Sequence, residues 1–148
     1  MSRVNIEKIV HGMCDSIKAQ MISRGYRASN ELRNAAMEVL AHGGSGRVYR
    51  VPNTRRRYRA SAPGEVPAVR TGTFRRSWMP STTVSGGGAF TVTSEIRNET
   101  RTDGGKYLLG EILEEGTPGG QMAPRPHQDK IQDKAKPRVT KIYREPYF

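Results

Sequence analysis

Four arginines around one tyrosine, Arg55-Arg56-Arg57-Tyr58-Arg59, are the densest chemistry in this chain. Guanidinium groups interleaved with an aromatic ring suit phosphate contact with base stacking. They suit pairing with an acidic patch on another protein equally well. No DNA- or RNA-binding motif accompanies the run. His11, His42 and His127 lie far apart and share no ligand spacing, so no metal site is expected and they read as surface histidines. On a helix Glu111 and Glu115 would be i, i+4 neighbours, but no nucleophile or base motif stands near them. With Glu114 they read as a solvated or arginine-paired face. Gly86-Gly87-Gly88 leads from one strand to another, which makes it a hairpin tip and not a phosphate cradle. Cys14, the single cysteine, has no partner for an internal disulfide; beside an apolar stripe it reads as a small buried or interfacial thiol. No catalytic, cofactor-binding or metal-ligating set emerges, and the chain is not expected to be an enzyme.

These residues must be placed by a lean fold. A chain of 148 residues suggests one domain, here 1–148, with a modest core. Only 34% of it is hydrophobic and 7% aromatic, so neighbouring copies are the simplest further source of buried surface. Lys and Arg total 25 against 14 acidic residues, a net charge of +11, which favours an anionic partner. The start, Met-Ser-Arg-Val-Asn-Ile, lacks the apolar run of a signal peptide, and no stretch has the length of a membrane span. The expected place of synthesis is a cytoplasm, with no membrane partner.

The elements follow from periodicity. Ile6, Val10, Met13, Ile17, Met21, Gly25, Ala28, Leu32, Ala35 and Val39 form one stripe, nine steps over 33 residues with a period of about 3.67. The phase holds across Gly25. That predicts one long helix within 1–42, roughly 50 Å long, with a break at Gly25 and a cap at Ser29 as the alternative. Such a rod exceeds what this core needs, so part of it is expected to pack on another chain. Residues 46–61 read as an arginine-rich hairpin with a turn at Pro52-Asn53-Thr54. Residues 62–77 form a long Pro-stiffened excursion, read as a docking arm, that ends in a helical turn with Phe74 facing inward. Residues 78–97 read as a β-hairpin, with Pro80 marking an edge and Ala89 opening the second strand. In 107–143, Tyr107–Glu115 reads as a short helix closed by Gly116. Pro126 then opens a last helix that Pro137 should kink or end. The fold class is α+β: a long N-terminal helix packed on a small antiparallel β-sheet, with a short helix, a C-terminal helix and long extended loops.

Two passages together resemble a known family. One is Ser61-Ala62-Pro63-Gly64-Glu65-Val66-Pro67-Ala68-Val69-Arg70-Thr71-Gly72-Thr73-Phe74-Arg75-Arg76-Ser77. The other is Tyr107-Leu108-Leu109-Gly110-Glu111-Ile112-Leu113-Glu114-Glu115-Gly116-Thr117, followed by Met122-Ala123-Pro124-Arg125-Pro126. In this order, behind a long N-terminal helix, they are similar to the head–tail joining, or tail-completion, neck proteins of tailed bacteriophages. Phe74 replaces the family's usual Leu, and His127 and Glu115 stand where apolar residues are usual.

The resemblance implies a virion structural protein, made in the host cytoplasm and built into the neck. It would form a homo-oligomeric ring, a hexamer, that joins the DNA-filled head to the tail and completes the tail end. Its partners would be itself, the head-closure or connector protein, and the tail-terminator or tail-tube protein. DNA would only pass through the channel. Candidate inter-subunit or inter-ring contacts are Arg55, Arg56, Arg57, Tyr58 and Arg59 in the hairpin, Pro63, Glu65, Val66, Pro67, Val69 and Arg70 in the excursion, and Arg125. Gly64, Gly72 and Gly116 read as backbone requirements. Other readings are a tail-terminator ring protein and a small basic nucleic-acid-binding protein.

Overall fold

The computed structural model describes residues 4–148. A single helix, α1 (Ile6–Val39), runs through it without a break. Asn5 caps its start by accepting a hydrogen bond from the Lys8 amide at 3.2 Å. Gly25 is a point of close approach and not a hinge. A Cβ there would sit 2.5 Å from Val92 Cγ1 and 2.9 Å from Thr82 Cγ2. Only glycine lets the sheet lie this near the helix, and Ser94 Oγ then reaches the Gly25 carbonyl at 2.7 Å.

The chain next forms a short antiparallel hairpin, β1 (Val48–Arg50) with β2 (Arg57–Arg59), in which Tyr49 faces Tyr58. The one-turn helix α2 (Thr73–Arg76) carries Phe74 towards the core, as its spacing predicts. The second hairpin pairs β3 (Trp78–Ser85) with β4 (Thr91–Asn98), from Trp78↔Asn98 to Ser85↔Thr91. The second strand opens two residues later than expected, because 86–90 are spent on the turn. Pro80 is tolerated because a two-stranded sheet is all edge.

Helix α3 (Leu109–Glu115) starts later than the sequence suggests. Leu108 is diverted into a backbone bridge with Arg101, flanked by hydrogen bonds from the Thr102 amide to the Tyr107 carbonyl at 2.9 Å and from the Leu109 amide to the Thr100 carbonyl at 2.7 Å. Helix α4 (Gln128–Tyr143) starts two residues after Pro126 and continues past Pro137, so the proline does not end it. Pro137 lies on the exposed face. The Asp133 carbonyl that loses its amide partner there is open to water, so the helix continues past it.

One core cluster joins these parts: Ala35 and Ala36 of α1 with Leu40 at its C-cap, Trp78 of β3, and Ile131 and Ala135 of α4. Leu32, Val39, Phe74, Ile96 and Val139 pack around it. All of it lies against the C-terminal half of α1. Residues 4–16 are exposed throughout, with Ile6 at 72% and Val10 at 50%. No helix among the described residues is long and apolar enough to cross a membrane.

Candidate assembly surface

The two motif passages meet in space, through residues about 60 positions apart in the chain. The Gly64 amide donates to the Pro124 carbonyl at 3.0 Å. Arg125 Nε donates to the Ser61 carbonyl at 3.2 Å and to Ser61 Oγ at 3.0 Å, and the Arg125 amide donates to the Leu113 carbonyl at 2.6 Å. Gly116 makes the fold-back possible: its φ is +84°, and an added Cβ would meet the Met122 carbonyl oxygen at 2.7 Å. Gly64 and Gly72 also lie at positive φ.

Glu65 ties the excursion to the end of α1. Its carboxylate accepts hydrogen bonds from the Ala62 amide at 2.8 Å, from the Ser45 amide at 3.1 Å and from Ser45 Oγ. The Ser45 hydroxyl first, then the two amides, hold the Glu65 carboxyl down from 4.5 to about 2. The Val69 amide donates to the His42 carbonyl at 3.3 Å, and Pro67 is buried. The excursion is therefore laid down on the body of the fold. Of its candidate contact residues, Pro63 and Arg70 are exposed, Val66 and Val69 are half-buried, and Glu65 and Arg125 bind the chain to itself.

The hairpin does stand at the surface. Arg55, Arg56, Arg57 and Arg59 are exposed, and half-buried Tyr58 stacks on Tyr49 with ring centroids 6.0 Å apart. Arg47 lies 5.6 Å over Tyr49 and Arg70 6.0 Å over Tyr58. Between this hairpin, the excursion and α3 runs an open groove of about 670 Å³, with Tyr58, Pro67, Phe74, Leu109 and Leu113 among its lining.

Three single residues take roles their sequence context hid. His127 is fully buried and not at the surface, unlike exposed His11 and His42. Its ring packs edge-on against Phe74 at 5.6 Å and Trp78 at 6.1 Å, filling an apolar slot. Its Nδ1 sits 3.1 Å from the Arg125 carbonyl and 3.0 Å from Glu114 Oε2, two acceptors, so Nδ1 carries the hydrogen. Glu114 is not a solvated face residue. It accepts from the His127 and Gln128 amides at 2.9 and 3.2 Å and so caps α4. Arg24, 2% exposed, lies under Tyr147 at 3.9 Å and donates to the Tyr143 and Pro146 carbonyls at 3.4 and 3.0 Å. It thereby satisfies the carbonyl end of α4. An arginine on the core side of a helix gives no such signal in a hydrophobic pattern.

Cys14 is exposed, which corrects its reading as buried and leaves the interfacial one. Among the described residues, no three His, Cys, Asp or Glu side chains converge as metal ligands. No family model matches this chain, and comparison with curated proteins and with solved structures finds no match.

Proposed function

We propose that this chain is a structural subunit of the tailed-phage neck, assembling as a ring that joins the DNA-filled head to the tail and completes the tail end. The observation that carries it is the exposed first third of α1, residues 6–16. Ile6, Ile9, Val10 and Met13 present an apolar stripe to solvent on a helix whose C-terminal half already covers the core. A monomer gains nothing from that stripe, whereas an assembling subunit buries it. The resemblance of 61–77 and 107–126 to neck proteins supports the same reading, and the hydrogen bonds between Gly64 and Pro124 and between Ser61 and Arg125 give those motifs a shared purpose. With a charge of +11, the ring suits a channel through which DNA passes.

The exposed arginines around the Tyr49–Tyr58 stack favour a second reading, a small basic protein that holds nucleic acid directly. The two readings differ in what loss of the protein does. Lysates of a phage with a null allele of this gene should contain DNA-filled heads and separate tails in negative stain. Joined, infectious particles from the same lysates would reject the neck assignment.

A further inference from the structure

The ring reading leaves open which surfaces meet, and the inference drawn here rests on that reading. Two unpartnered features lie at opposite ends of α1. At one end is the stripe of Ile6, Ile9, Val10 and Met13, at i, i+3, i+4 and i+7, which is one face of a helix. At the other is the groove of about 670 Å³, which Leu40 lines beside Pro67, Leu109 and Leu113. From Ile9 to Leu40 the helix rises roughly 46 Å, so no copy can fill its own groove with its own stripe.

We propose that the exposed first third of α1 of each subunit, residues 6–16, docks in the groove of the next copy. The charges agree. Arg70, Arg75 and Arg101 line the groove against a single acid, Asp103, and none of the three forms an ion pair with a carboxylate among the described residues. Glu7 borders the stripe with its side chain 82% exposed, held only by His11 at 3.8 Å. Lys8 and Asp15 fall on the opposite side of the helix, where they offset each other. An apolar ridge flanked by a carboxylate thus faces an apolar floor flanked by guanidinium groups. Stripe and groove are different surfaces, so the contact is heterologous, and repeating it gives a head-to-tail series that closes into a ring when the rotation allows. A symmetric pairing of two α1 stripes would instead stop at a dimer.

Cys14 makes the contact testable, because it is the only thiol and sits exposed beside the stripe. The full chain carrying Asp103→Cys, treated with a short bis-maleimide, should give a ladder of dimers, trimers and higher species. The same treatment of the unaltered chain, and of Cys14→Ala/Asp103→Cys, should give no ladder. Val10→Glu, a change at an exposed position, should at least halve the native mass while leaving the circular dichroism unchanged. Crosslinked dimers from Cys14 alone would replace this contact by a symmetric one. A full-sized oligomer without the ladder, or one indifferent to Val10→Glu, would overturn the docking and leave the ring. A monomer under all conditions would overturn both.

Discussion

At Glu65 the sequence suggests a contact residue and the structure shows an internal latch. Its carboxyl is held at about 2, below its ordinary 4.5, so the latch stabilises the fold above pH 4.5 and is lost as the pH falls towards 2. The protection factors of the Ser45 and Ala62 amides against exchange should therefore fall across that window, and Glu65→Gln should remove the step. Unchanged protection in the parent down to pH 2 would contradict this. Residue roles of this kind were the least legible part of the sequence. Glu65, Arg125, Glu114 and Arg24 each satisfy backbone groups brought close by the tertiary fold. Composition and spacing carry no record of those partners. His127 was misjudged for a related reason: its burial is set by Phe74 and Trp78, about 50 residues away.

Elements were more legible, because periodicity is local. The apolar phase held across Gly25, and one 34-residue helix is what forms. The β3–β4 hairpin and the helical turn at Phe74 also follow their patterns. What failed were starts and stops. Leu108 joins a backbone bridge with Arg101 in place of α3, and Pro137 stays inside α4 because its face meets water. That position should be costly even so. Proline in a helix interior is worth about 3 kcal/mol less than alanine, and solvent satisfies part of the deficit. Pro137→Ala should stabilise the protein by about 1–3 kcal/mol in thermal melts. A lowered melting temperature would mean that α4 depends on the proline's fixed backbone. The excursion shows what a local pattern leaves out: proline stiffness marks a docking arm, but only the fold reveals that Glu65, the Gly64 amide and the Val69 amide tie it to distant segments.

For the whole molecule, the decisive feature is asymmetry along α1. Its second half organises the core of Ala35, Leu40, Trp78 and Ile131, while residues 4–16 bury nothing. A fold so arranged is stable as a body yet incomplete as a surface, which is the property an assembly subunit needs. The most direct test is negative-stain imaging of the purified full chain together with its native mass. The account predicts closed rings with an open centre, of a single copy number, that bind duplex DNA only in a salt-labile way. A uniform population of monomers that holds duplex DNA tightly at physiological salt would contradict it.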